Sequence, residues 1–158
     1  MDQVYTFTEG GREHVETIAL FNVRMALETE RLSLDLDLVR KGVAHLVEHP
    51  EEGRYFIALQ GGEVVAQAMV TREWSDWRNA PFFWLQSVYT LPQHRCRGLF
   101  KTLFKGVLEM CSREGACGLR LYVEGGNEAA QRVYEKLGMR ESHYRLWEIE
   151  TGRSLIER

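Results

Sequence analysis

Apolar residues recur along this chain with two periods, and the switches between them outline a fold. From 99 to about 113, Leu99, Leu103, Val107 and Met110 repeat every three to four positions, with Phe100, Phe104 and Leu108 alongside. That is the stripe of a helix with one buried face. The same spacing runs from 13 to about 30 through Val15, Ile18, Ala19, Phe21, Met25 and Ala26. It returns over 36–47 in Leu36, Val39, Val43, Leu46 and Val47, and stops before Pro50. A fourth helix is expected over 128–137. Strand patterns fill the gaps: 4–7, closed by Gly10-Gly11; 55–59 and 64–70, flanking the hairpin signal Gly61-Gly62; then 82–90, 119–123 and 144–149. The order βααβββαβαβ is that of a mixed α/β sheet with helices on its faces.

Composition narrows the function classes. A chain of 158 residues is about one domain, and no linker, repeat or like-charge block divides it, so 1–158 is read as a single unit. The net charge of -3 argues against a nucleic-acid partner, which needs a basic surface to displace counterions. The opening Met-Asp-Gln-Val-Tyr-Thr-Phe has neither a basic n-region nor an apolar h-region. No run of about 18 apolar residues follows, so a cytoplasmic protein without a membrane partner is expected. Cys96, Cys111 and Cys117 form no C-x-x-C pair. The five histidines, His14, His45, His49, His94 and His143, show no ligand spacing, so no metal is expected.

Against this mildly acidic background, 85–100 stands out. A strand runs into the basic turn Arg95-Cys96-Arg97-Gly98, which opens directly into the helix beginning Leu99-Phe100-Lys101. A helix start presents amide donors and the positive end of the macrodipole. Arg95, Arg97 and Lys101 add cationic charge, and Gly98 removes the Cβ that would hold a phosphate off the backbone. A solvated basic loop before an ordinary helix has the same composition, so the segment alone leaves both readings open.

The six residues 95–100, Arg-Cys-Arg-Gly-Leu-Phe, with Ser87-Val88-Tyr89-Thr90-Leu91-Pro92 ahead of them, resemble the Arg/Gln-x-x-Gly-x-Gly/Ala turn of GNAT acetyltransferases. A second block is similar to the same family: Leu119-Arg120-Leu121-Tyr122-Val123, then Asn127, Ala130, Tyr134 and Glu135-Lys136-Leu137-Gly138-Met139. The resemblance implies a mostly antiparallel central sheet with helices on both faces, and acetyl-CoA as co-substrate. It assigns Arg95, Cys96, Arg97, Gly98, Leu99, Phe100 and Lys101 to the pyrophosphate. Val88 and Tyr89 would offer backbone groups to the pantetheine arm, from strands splayed at Val88 and Val123. Asn127 and Ala130 would lie against the coenzyme, and Tyr134 would be the general acid for the departing thiolate. Two departures stand out: Phe100 replaces the usual small residue and Cys96 a common glycine. Nor does the strand 82–89 hold a carboxylate to serve as base.

Taken alone, Asn127 is a good N-cap and Tyr134 an amphipathic core residue two turns on, with small Ala130 between them. The implied acceptor is a small-molecule or peptide amine, attacked directly in a ternary complex. An amine with a lysine-like pKa of about 10.4 must first lose a proton. Candidate carboxylates are Glu28 and Glu30 at the end of the first helix, and Glu73 and Asp76 in the Trp-rich stretch 73–84. Aromatics that dense also suit a core or a homodimer interface. A catalytically silent coenzyme A-binding regulatory module is the alternative reading.

Overall fold

The computed structural model describes residues 4–149 and 151. Strand β1 (Thr6–Glu9) leads through a 3-10 turn (Arg12–His14) into α1 (Val15–Glu30) and α2 (Leu36–Glu48). Three strands follow, β2 (Gly53–Gln60), β3 (Glu63–Ser75) and β4 (Ala80–Thr90), then a second 3-10 turn (Pro92–His94) and α3 (Leu99–Arg113). The short β5 (Gly118–Leu121) and α4 (Glu128–Lys136) complete the described elements. One five-stranded sheet runs β1-β2-β3-β4-β5, antiparallel throughout except for the parallel β4–β5 pair. A parallel pair needs a crossover, and α3 supplies it. The chain divides into two compact units at 121/122, one holding the sheet with α1–α3 and the other holding α4.

In the first unit both sheet faces are covered. Ile18, Ala19 and Phe21 of α1 and Val43 of α2 bury against Tyr55, Ile57, Val64 and Tyr89. Arg54 points the other way and donates to Met110 Sδ of α3 and to Glu114 just past its end. On that face α3 buries Leu99, Leu103, Phe104, Val107, Met110 and Cys111, the stripe expected from sequence with Leu108 left exposed.

Three expectations are corrected. Strand β1 begins at Thr6, not at Val4, which is exposed. Strand β3 runs five residues past 70, because 71–75 pair with β4 from Thr71↔Trp84 to Ser75↔Ala80; solvent-facing Arg72 and Glu73 break the apolar alternation that marks the rest. The strand expected over 144–149 is absent. Tyr144, Leu146, Trp147 and Ile149 are 65–88% exposed and have no ladder partner among the described residues. Alternation makes a strand only where backbone hydrogen bonds and burial, about 1.5–3 kcal/mol for a large apolar side chain, reward it.

Candidate functional site

Strand β4 breaks its own regularity just before its end. Gln86 pairs with Met69 and Tyr89 with Gln67, so Ser87 and Val88 together oppose Ala68 alone. This is a β-bulge, with Ser87 at φ 48 in the left-handed region. The β4–β5 ladder runs from Phe82↔Gly118 to Leu85↔Leu121 and stops immediately before the bulge, while β4 continues to Thr90. Among the described residues, the edge of β4 at Val88 and Tyr89 that continues this ladder has no strand partner, so an extended ligand arm can pair there. Val123, expected to end the neighbouring strand, lies beyond β5.

Beneath the bulge lies a polar cluster that sequence reasoning missed. Gln67 is fully buried and donates through Nε2 to Asn22 Oδ1 at 2.7 Å and to Ser87 O at 3.3 Å. Asn22 Nδ2 in turn donates to the Tyr55 hydroxyl at 3.1 Å. Gln67 thus fixes the carbonyl of the bulged residue. Its only signal was a lone amide inside the apolar run Val-Val-Ala-Gln-Ala-Met-Val.

The turn after β4 is firmly seated. Leu91 N donates to Val65 O at 2.9 Å, and buried His94 shares a 3.2 Å hydrogen bond with the Tyr5 hydroxyl. Cys96 (φ 60) and Gly98 (φ 78) both take the left-handed conformation, and Gly98 is the N-cap of α3. Left-handed residues of this kind help backbone amides converge on an anion. No side chain caps α3 and its first turn holds no acidic residue, which is true of no other described α-helix. Leu99 is buried, the Phe100 ring lies 5.8 Å from that of Phe104, and Cys96, Arg97, Gly98 and Lys101 are exposed.

Arg95 is engaged elsewhere. Its Nη2 donates to Glu28 Oε2 at 2.6 Å and its Nε to Thr90 O at 2.9 Å, with the guanidinium 5.6 Å from the Tyr89 ring centre. Glu28 Oε1 accepts from the Tyr89 hydroxyl at 3.0 Å. Arg95 first, and then Tyr89, hold the Glu28 carboxyl below the usual carboxylate range. Burial first, and Glu28 second, push the Tyr89 phenol up.

The structure separates the four acceptor candidates. Glu28 stands beside the turn, and Glu30 ends α1 exposed. Glu73 accepts from Trp84 Nε1 at 2.6 Å and from Arg120 at 3.0 Å, and Asp76 Oδ1 accepts from Trp77 N at 2.9 Å. Glu73 pairs with Phe82, eight residues before Thr90, so at about 3.3 Å per residue it lies roughly 26 Å along the strand from the turn. Trp74 and Trp77, 55% and 85% exposed, mark that distant hairpin tip.

In the second unit, Asn127 Oδ1 caps α4 by accepting from Ala130 N at 3.1 Å. The helix ends in a Schellman motif: Gly138 (φ 90) donates to Glu135 O and Met139 N to Tyr134 O. Burial pushes the Tyr134 phenol above its ordinary value.

His45 and His49 stand one turn apart, and donor atoms of His49, Glu51 and Glu52 lie within 4.8 Å of one another. Each imidazole already faces a carboxylate, His45 with Glu52 at 3.0 Å and His49 with Glu51 at 3.1 Å. No described helix is long and apolar enough to cross a membrane.

Residues 19–139 match the acetyltransferase (GNAT) family. A mycothiol acetyltransferase from Corynebacterium aurimucosum is 30% identical over 145 residues, 86% of this chain and 48% of its own length. A thialysine N-epsilon-acetyltransferase from Mus musculus is 29% identical over 96 residues, 61% of this chain and 52% of its own. The chain thus spans about half the length of these curated relatives. A crystal structure of a possible acetyltransferase from Clostridium difficile 630 superposes with a TM-score of 0.88 at 41% identity, covering 94% of this chain and 99% of that one.

Proposed function

The chain belongs to the acetyltransferase (GNAT) family, and from that premise we propose that it moves an acetyl group from acetyl-CoA to the amine of a small-molecule acceptor in a ternary complex. The observation that carries this reading is the open start of α3: amide donors, flanking cations and no first-turn carboxylate, one short turn after a bulged strand. That donor set fits a diphosphate. The amides around Gly98, Leu99, Phe100 and Lys101 hold it, with Arg97 and Lys101 adding charge. Val88 and Tyr89 hold the pantetheine arm through backbone groups, and Asn127 and Ala130 line the coenzyme.

When bound, acetyl-CoA supplies the thioester whose carbonyl the amine attacks, C–N forming as C–S breaks. Tyr134 serves the sulfur that leaves. A thiol of about 8.5 lies below a phenol of about 10, and burial raises this phenol further. A hydrogen bond that stabilises the developing thiolate therefore counts as much as full proton transfer. The amine's own proton needs a base or a water relay, and β4 offers no carboxylate. Glu28, beside Tyr89 at the end of α1, is assigned to the acceptor's ammonium group. The names of the two relatives, one for mycothiol and one for the N-epsilon of thialysine, favour a small molecule over a peptide.

An amine panel monitored by free thiol release tests the reading. Turnover is expected with at least one small amine. In Tyr134→Phe, kcat falls by up to about 10²-fold while coenzyme affinity holds. Saturable coenzyme binding without thiol release from any amine would instead support the silent regulatory module, which the carboxylate-free β4 favours.

A further inference from the structure

Arg95 presents a contradiction. It belongs to the turn assigned to the diphosphate, yet its guanidinium is already paired with Glu28, 67 positions away in sequence. Both carboxylate oxygens of Glu28 are in use, one by Arg95 and one by the Tyr89 hydroxyl. An anion arriving at the start of α3 must compete with that carboxylate for the guanidinium.

We propose, resting on the coenzyme site argued above, that Glu28 is a built-in competitor for Arg95, and that coenzyme binding exchanges Glu28 for the diphosphate at that guanidinium. Three features suit an exchange better than a fixed structural pair. The pair is accessible, with side chains 45% and 41% exposed, so parting it unpacks no core. Arg95 keeps an anchor, because Nε donates to Thr90 O and holds the side chain at the strand–turn junction while Nη2 changes partner. Glu28 is not orphaned when Arg95 leaves, because the Tyr89 hydroxyl still donates to it. The doubly charged diphosphate outcompetes a single carboxylate for a planar bidentate donor. Glu28 is therefore a positioning residue for the coenzyme, acting through Arg95.

The size of the effect follows from the exposure. Exposed pairs contribute little, so the competitor weakens coenzyme binding by about 1.5- to 5-fold. Calorimetric titration of coenzyme A into the wild type, Glu28→Gln, Arg95→Ala and the double variant decides the matter. Glu28→Gln, which keeps the shape and deletes the charge, should tighten coenzyme A by about 1.5- to 5-fold. Arg95→Ala should weaken it, and adding Glu28→Gln to Arg95→Ala should change nothing further. The exchange is overturned if Glu28→Gln leaves affinity unchanged or weakens it. It is equally overturned if the tightening survives in the Arg95→Ala background, because a general field effect would then explain it. A wild type that binds no coenzyme A would defeat the coenzyme site itself. Wild-type binding without the Glu28→Gln effect defeats only the exchange.

Discussion

Helices α2 and α3 begin in opposite ways. At the start of α2, Asp35 Oδ1 accepts from Asp37 N at 2.8 Å and from Leu38 N at 3.1 Å, and Asp37 adds a second carboxylate to the first turn. At the start of α3 stands Gly98, with no side chain to cap and no acidic residue in the first turn. Both helices need their first amides satisfied and their dipoles balanced. In α2 the sequence does this internally, which makes that end a structural one. In α3 the sequence withholds it, which is what the proposed diphosphate site requires. Capping residues thus distinguish a helix end that completes the fold from one that leaves donors for a ligand.

The largest effect should come from giving α3 what α2 has. Gly98→Asp puts a carboxylate at the start of α3, at a φ of 78 that Asp tolerates better than most residues. Coenzyme A affinity should fall about 10²-fold or more, the loss of charge-assisted hydrogen bonds together with new repulsion. Thermal stability should change little, and calorimetry beside a melting curve reads both. The reverse change takes from α2 what it has. Asp35→Ala should cost about 1 kcal/mol, or about 2–4 °C in Tm, with coenzyme affinity unchanged. If Asp35→Ala weakened coenzyme binding as much as Gly98→Asp, the division between a structural and a functional helix end would collapse.

A smaller effect sharpens the picture of the turn. Cys96 is exposed between Arg95 and Arg97, whereas Cys111 is buried on α3 with its thiol pushed up to about 11, chiefly by burial. Alkylation with mass mapping should find Cys96 reacting well before Cys111, and saturating coenzyme A should slow Cys96 alone. Equal rates with and without coenzyme A would remove the diphosphate from this turn.

The readable parts of the fold were those where one periodicity ran uninterrupted. The stripe of α3 fixed its bounds at Leu99–Arg113, and Gly61 and Gly62, both at positive φ, marked the β2–β3 hairpin. Reading faltered where polarity masked a ladder, as at Arg72 and Glu73, and where alternation had no partner, as at 144–149. In the site, the turn and the Asn127 cap were legible because local rules dictate them. The bulge at Ser87 was not, since a serine at φ 48 leaves no compositional mark. Nor were the contacts of Gln67 with Asn22, 45 positions apart, or of Glu28 with Arg95, because only the packing of α1 against the sheet and the turn brings such residues together.

On the proposed reading, the first amides of α3 bind the anion and those of α2 do not. Titrating coenzyme A into isotope-labelled protein and following backbone amide resonances tests it directly. Saturable shifts should concentrate at Gly98, Leu99, Phe100 and Lys101, with Asp37 and Leu38 unmoved. Shifts that bypass 98–101 while coenzyme A binds elsewhere would contradict it.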